Sequence, residues 1–158
     1  MNKFAIKAVK RTIIGVVIAI VPSVWVLAGN TNEQIATDAS GIAIKGYDAV
    51  AYFTEGRATK GNPEFVYSWR DAQWYFMNAR HREMFAADPE RFAPQFGGHC
   101  ANGLSVGKVV VADPEEWTIV DGKLYMKFNR SARDRWRQDK SAKIIKAEKN
   151  WAEIHDLD

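Results

Sequence analysis

The side chains best suited to chemistry are one thiol and the imidazoles near it. The sequence has a single cysteine, Cys100, directly after His99, and a further histidine, His81, lies upstream. Thiolate and imidazole are ligands that suit Cu(I). We therefore predict that the chain binds a soft metal ion such as copper, through Cys100 with help from His99 or His81.

Structural roles for the same residues remain open at this point. Because Cys100 is alone, it cannot form an internal disulfide, and a buried, inert thiol is the alternative to a metal ligand. His81 would otherwise be a surface residue of a helix. The thioethers of Met77, Met84 and Met126 could join a copper site, but each is more typical of a hydrophobic core.

A thiol enzyme is a further option that the residue types allow. Cys100 with His99 or His81, and with Asp48, could form a site in which an imidazolium lowers the pKa of the thiol. No recognised catalytic signature surrounds these residues. We therefore predict a protein that is not an enzyme.

Aromatic residues favour a different kind of site. They are numerous enough to line a pocket for a small molecule or a protein partner without any metal. Those considered are Tyr47, Tyr52, Phe53, Trp69, Trp74, Tyr75 and Trp117. This alternative predicts an aromatic-lined cavity and stability that does not depend on metal.

The N-terminal segment has the composition of an export signal. Residues 1–11 carry four basic residues and no acid, and residues 12–28 are almost entirely apolar, with Pro22 inside the run. We predict a cleaved signal peptide or a retained membrane anchor over residues 1–28. A polar linker would follow over residues 29–40. The domain, residues 41–154, would then be periplasmic or otherwise exported, and held at the inner membrane if the segment is retained.

The charge balance excludes nucleic acid as an expected partner. Removing the four basic residues of the leader from the total of 22 leaves 18 Lys and Arg against 19 acids. The remaining domain is nearly neutral and gives no support for nucleic acid as a partner. The partners that we predict from the residue types are a metal ion or a small ligand. Basic residues do gather over residues 130–149, and we interpret them as a solvated helix face.

Two hairpins are predicted from alternating or aromatic runs separated by turn residues. The first joins residues 65–69 to residues 73–77. The second joins residues 117–120 to residues 124–128 through Asp121-Gly122, a strong hairpin signal. A further strand is expected over residues 108–111. The adjacent Gly97-Gly98 predicts a tight turn or a close backbone approach.

Helices account for the remaining periodic segments. Asn78 is a plausible cap for a helix through Ala87, and Asp88-Pro89 begins a second, short helix. A helical turn is expected over residues 113–116, and one long C-terminal helix over residues 131–154. No internal repeat is evident. The prediction is an α+β fold: a small antiparallel sheet built from hairpins, with a short central helix and a long C-terminal helix.

An ordered series of motifs resembles the YHS-domain family, in its longer, exported, single-domain form. The series runs from about Gly41 to Trp151, which makes it more specific than any one motif. Its motifs are Gly46-Tyr47-Asp48-x-Val50-Ala51-Tyr52-Phe53, Trp74-Tyr75-Phe76, Phe85-x-x-Asp88-Pro89, Phe92-x-Pro94, Gly97-Gly98-x-Cys100-Ala101, Asp113-Pro114 and Asp121-Gly122-Lys123-Leu124-Tyr125.

The resemblance implies metal binding, copper in particular, because short YHS modules accompany metal-transport proteins. Those short modules carry a pair of cysteines. Here Met77 and Ala79 lie in the region where the short modules have thiols, and only Cys100 remains further along the chain. A two-thiol site of that kind is therefore excluded.

Overall fold

A computed structural model of the chain describes residues 35–155. The predicted signal or anchor over residues 1–28 lies outside the described residues, as does the first half of the predicted linker. Ile35 and Ala36 are already buried, and the Ala36 amide donates to the carbonyl oxygen of Gly97 over 2.8 Å. Packed structure therefore extends ahead of Gly41, where we had expected it to begin.

The described chain contains four strands and six α-helices, in an α+β arrangement that confirms the predicted fold class. The strands are β1 (Asn62–Trp69), β2 (Ala72–Phe76), β3 (Asp113–Val120) and β4 (Lys123–Lys127). The helices are α1 (Ala51–Thr54), α2 (Ala79–Ala87), α3 (Pro89–Phe92), α4 (Ala101–Leu104), α5 (Arg130–Gln138) and α6 (Lys140–His155). Short 3-10 turns cover Ile44–Gly46 and Gln95–Gly98.

Both predicted hairpins form, as two separate two-stranded antiparallel sheets. Strand β1 pairs with β2, and β3 pairs with β4. At the tip of the second hairpin Asp121 and Gly122 both have positive φ, 50° and 73°, which is the backbone that a type I′ turn requires. At the first tip Arg70 and Asp71 adopt the same region with φ of 49° and 58°.

The described fold repeats one order of elements twice: a four-residue helix, a two-stranded hairpin, and a nine-residue helix followed by another helix. Strands β1 and β3 both have eight residues, β2 and β4 both have five, and α2 and α5 both have nine. The register is irregular at matching places, between Asn62 and Val66 in the first hairpin and between Asp113 and Trp117 in the second. We call the two copies the first half (residues 44–92) and the second half (residues 96–155).

Capping residues mark the repeat most clearly. The side chain of Asn78 accepts a hydrogen bond from the amide of His81, and that of Asn129 accepts one from Ala132, both over 2.9 Å. Each cap stabilises the first turn of a helix by satisfying an amide that has no partner within the helix. The elements therefore repeat in the structure although the sequence shows no evident repeat.

Asp139 interrupts what we predicted as one long C-terminal helix. Its backbone (φ −156°, ψ 73°) matches that of Asp88 (φ −153°, ψ 77°), which separates α2 from α3. The Asp139 carboxylate accepts the amide of Ala142 over 3.2 Å and so begins α6. The prediction of a single helix over residues 131–154 was wrong because this aspartate ends one helix and caps the next.

Two local predictions in the second half were also wrong. Residues 113–116 belong to β3 rather than to a helical turn, since Asp113 pairs with Lys127, and the carbonyl oxygen of Pro114 accepts the hydroxyl of Tyr52 over 3.0 Å. Residues 108–111 do not form a regular strand. An isolated bridge between His99 and Val111, the hydrogen bond from the Cys100 amide to the carbonyl oxygen of Val110 and that from the Lys108 amide to Gly103 hold this segment in place.

The core consists of two hydrophobic clusters, one centred on each half. The fully buried Trp74, Phe76 and Phe85 lie in the first cluster, and the fully buried Trp136 and Leu104 lie in the second. Phe85 and Trp136 occupy matching positions on α2 and α5. Burial of aromatic side chains supplies much of the hydrophobic stabilisation of a domain this small. Over residues 35–155, no helix combines the length and apolarity needed to cross a membrane.

Candidate functional site

The predicted ligand His81 lies in a buried polar cluster of the first half. Its Nδ1 is 2.7 Å from Oδ2 of Asp48, and its Nε2 is 3.3 Å from the hydroxyl of Thr54. Asp48 has no exposed surface and also accepts the amides of Val50 and Met77, both over 2.8 Å. The hydrogen bonds of this cluster connect α1, the end of β2 and α2, so the cluster has a structural role.

The predicted ligand Cys100 is a buried thiol at the start of α4. Only 1% of the residue is exposed, and Sγ accepts a hydrogen bond from the amide of Gly103 over 3.3 Å. The fully buried Lys127 lies on the neighbouring strand, next to Met126, which forms a bridge with Cys100. Burial lowers the pKa of Lys127 to about 7, and the nearby Cys100 partly opposes that shift.

The predicted ligand His99 is buried against the C-terminal helix. Its Nδ1 is 2.9 Å from the carbonyl oxygen of Phe96, so this nitrogen carries the proton. Its ring centroid lies 5.5 Å from that of Trp151 on α6. His99 therefore helps to fix the position of Trp151.

The three predicted metal ligands have three different environments. His81 faces Asp48, Cys100 faces Gly103, and His99 faces Phe96 and Trp151. Within residues 35–155 there is no group of three or more His, Cys, Asp or Glu side chains able to hold a metal ion. The structure does not bring the predicted ligands together, and copper binding stays a prediction.

An open cleft lies on the described surface. Its volume is about 570 Å³, and it lies between the connecting segment, the tip of the first hairpin and the end of α6. By the connecting segment we mean residues 93–98, which lead from the first half into the start of the second. Its lining residues are Ile35, Trp69, Arg70, Glu90, Ala93, Pro94, Gln95, Phe96, Gly97, Glu148, Trp151, Ala152 and His155. This volume falls within the range of about 300–1,000 Å³ typical of small-molecule sites.

The connecting segment forms one wall because its backbone turns sharply. Phe96, Gly97 and Gly98 all have positive φ, at 59°, 59° and 88°. The two glycines adopt this region freely, whereas a β-carbon at Gly98 would lie 3.1 Å from a methyl group of Ile44. The tight turn predicted at Gly97-Gly98 is confirmed, and it directs the Phe96 side chain toward α6.

Trp151 forms the opposite wall. Its ring lies 5.9 Å from Phe96 and 4.2 Å from His155, measured between centroids, and both pairs are edge to face. Ala147, one turn earlier on the same helix, is fully buried in the second cluster and anchors this part of α6. The indole is therefore held in place while part of its surface faces the cleft.

The tip of the first hairpin supplies the third wall and a positive charge. The guanidinium carbon of Arg70 lies 4.4 Å from the centroid of the Trp69 ring, in cation–π geometry. Arg70 also forms a 2.8 Å salt bridge with Glu90, and both side chains are largely exposed. The matching positions of the second hairpin hold Val120 and Asp121, so these features are particular to the first half.

The sequence suggested part of this cleft but not its assembly. Trp69 is among the aromatic residues that we considered for a pocket, and it does line the cleft. Tyr52 and Trp74, from the same set, are instead fully buried in the core. Trp151 was expected only as part of a buried helix face. The sequence did contain a signal that this face opens to solvent: the charged Glu148 and the small Ala152 lie beside Trp151 on the helix, and both are exposed.

Comparison with known proteins assigns no identity to this chain. No protein-family model, no curated protein and no solved structure matches it.

Proposed function

We propose that this chain is an exported, non-catalytic domain of the YHS type that binds a small organic molecule in the cleft between the connecting segment and α6. The cleft carries the proposal. It combines half-buried aromatic rings, Trp69 and Trp151, with charged groups at its edge. Mixed apolar and polar walls of this kind are typical of sites that select an organic ligand by shape and a few polar contacts.

The rigidity of the walls supports the same function. Trp151 is held by His99 and Phe96, and Phe96 is in turn packed against Tyr125 at 6.0 Å. Aromatic side chains fixed by their neighbours lose little conformational entropy when a ligand binds. The aromatic walls of the cleft are therefore preorganised for ligand binding.

Copper binding by Cys100 stays a prediction beside this proposal. A Cu(I) competition titration of the full chain and its Cys100→Ser variant, under reducing conditions, tests it. The surroundings of the thiol, a buried lysine and a backbone amide, offer a cation little stabilisation. Stoichiometric Cu(I) binding that requires Cys100 would support the metal prediction, and equal binding by both proteins would contradict it.

A variant that fills the cleft tests the proposed function. Ala152 is exposed on α6 and lines the cleft, so Ala152→Trp places an indole within it. Glu153→Trp is the matched control, because Glu153 is the next exposed residue of the helix and is outside the cleft lining.

The readout is ligand-observed NMR with a panel of small aromatic compounds. The full chain is used in an uncharged maltoside detergent because of its apolar N-terminal run. We expect compounds that bind the native chain and Glu153→Trp but lose binding to Ala152→Trp. An absence of binding, or binding that Ala152→Trp leaves unchanged, would contradict the proposal.

A further inference from the structure

We infer that the ligand of the cleft is an organic cation, an ammonium group carried on an apolar or aromatic body. This inference rests on the proposed function and names the ligand class for the same site. It follows from the charges at the edge of the cleft and from the faces of the rings that line it.

The first observation is that the cleft already holds a cation against an aromatic ring. The guanidinium of Arg70 lies over Trp69, 4.4 Å from the ring centroid, and pairs with Glu90. An aromatic face and a carboxylate are the two elements that recognise organic cations, and here Trp69 and Glu90 hold the protein's own Arg70 in this way.

The second observation is a further carboxylate in the described lining of the cleft, that of Glu148. Arg70 and Glu90 neutralise each other across their 2.8 Å contact. Glu148 lines the opposite wall, and no ion pair joins it to any residue of the described part of the chain. It is one turn from Trp151 on the same helix, so a carboxylate and an indole lie side by side.

An anionic ligand fits these charges less well. The fixed cation of the lining, Arg70, is already compensated by Glu90 and covered on one face by Trp69. A ligand carboxylate would have to displace Glu90 and would still approach Glu148. A ligand ammonium meets Glu148 without breaking any contact that the structure contains.

Three probes of similar size and different charge test the inference on the full chain. They are benzyltrimethylammonium, which is permanently cationic, benzyl alcohol, which is neutral, and benzoate, which is anionic. Each is titrated by ligand-observed NMR at low and at high salt. The variants are Glu148→Gln, which removes the carboxylate, and Glu153→Gln, an exposed control on the same helix that is paired with Lys149.

We expect benzyltrimethylammonium to bind most tightly and benzoate most weakly. Glu148→Gln should weaken the cation by about two- to fivefold, the effect of one exposed ion pair, and leave benzyl alcohol unchanged. Glu153→Gln should leave all three unchanged, and added salt should reduce the preference for the cation.

The outcomes separate this inference from the proposed function. If benzyl alcohol or benzoate binds at least as tightly as the cation, and Ala152→Trp abolishes that binding, the cleft is a ligand site but the cation inference is wrong. An unchanged cation affinity in Glu148→Gln also overturns the inference. If no probe shows binding that Ala152→Trp abolishes, the proposed function fails and the inference fails with it.

Discussion

Asp48 and Cys100 occupy matching positions in the two halves, and each accepts hydrogen bonds at the start of a four-residue helix. The amide of Asp48 donates to Thr59 and the amide of Cys100 donates to Val110, so the two backbones are tied in the same way. Their side chains accept the amides of Ala51 and Gly103, over 3.2 and 3.3 Å. The lone cysteine, Cys100, thus has a structural counterpart in the first half, Asp48, and both residues are buried.

Removal of the Asp48 carboxylate should be severely destabilising. Asp48→Ala leaves the partly buried amide of Met77 and the buried ring of His81 without their acceptor, which in the native chain lies 2.8 and 2.7 Å away, respectively. We expect a loss of about 3 kcal/mol or more in the free energy of unfolding, measured by urea denaturation. Glu83→Ala, at an exposed position of α2, is the control and should cost far less. Similar losses in the two variants would show that the buried cluster does not stabilise the fold.

The Cys100 thiol should be unreactive in the folded protein. It is almost fully buried and engaged by the amide of Gly103. We expect an aromatic disulfide reagent to modify Cys100 at a negligible rate under native conditions and rapidly in concentrated guanidinium chloride. Fast, complete modification of the native chain would mean that the thiol is accessible and would reopen a chemical role for it.

Lys127 should make stability depend on pH. Because burial lowers the pKa of Lys127 to about 7, the folded state releases this proton near pH 7 while the unfolded state keeps it to about pH 10.4. Between these values the unfolded state binds more protons, so stability rises with pH.

Lys127→Met removes this titration, and Lys123→Met, at an exposed position of β4, is its control. We expect the native chain to gain stability relative to Lys127→Met between about pH 6 and pH 9, as measured by unfolding midpoints. Lys127→Met also loses the hydrogen bond from Nζ to the carbonyl oxygen of Tyr125. The weakening of that bond when Nζ loses its proton is already contained in the folded-state pKa, so it is part of the predicted pH dependence. Parallel pH profiles of the native chain and Lys127→Met would contradict the prediction.

Gly98 should tolerate substitution less well than another glycine with the same sign of φ. Gly98 and Gly107 have φ of 88° and 72°, so alanine costs about 1 kcal/mol of backbone strain at either position. At Gly98 the new β-carbon also meets Ile44 at 3.1 Å, whereas the space at Gly107 is open. Gly98→Ala should therefore lower the unfolding free energy by about 1 kcal/mol more than Gly107→Ala. Equal effects would show that the turn beside the cleft accommodates a β-carbon at Gly98 without an added steric cost.

Local signals in the sequence were sufficient where a single residue type determines the backbone. Asp121-Gly122 predicted the second hairpin, and Asp88-Pro89 predicted the break between α2 and α3. The equivalent break at Asp139 was missed because Lys140 stands where the first half has Pro89, and lysine is a good helix former. The repeat was not detected in the sequence because the two halves share helix caps and buried aromatic positions but no extended sequence identity.

The cleft could not be predicted because its walls come from distant parts of the chain. Trp69, Phe96 and Trp151 are brought together only by the packing of the first hairpin, the connecting segment and α6. The three predicted metal ligands were chosen by residue type alone, and within residues 35–155 they have separate environments and belong to no group of three or more His, Cys, Asp or Glu side chains able to hold a metal ion. Chemical suitability specifies which groups could act together, and tertiary packing decides which of them meet.

The most direct test of ligand binding in the cleft is the response of individual indole N–H signals to a small aromatic ligand. Trp69 and Trp151 line the cleft, while Trp74 and Trp136 are fully buried in the two core clusters. In a two-dimensional NMR titration with benzyltrimethylammonium, assigned through single Trp→Phe variants, we predict that the signals of Trp69 and Trp151 shift with saturation and those of Trp74 and Trp136 stay fixed. Absent shifts, or shifts confined to Trp74 and Trp136, would contradict the account.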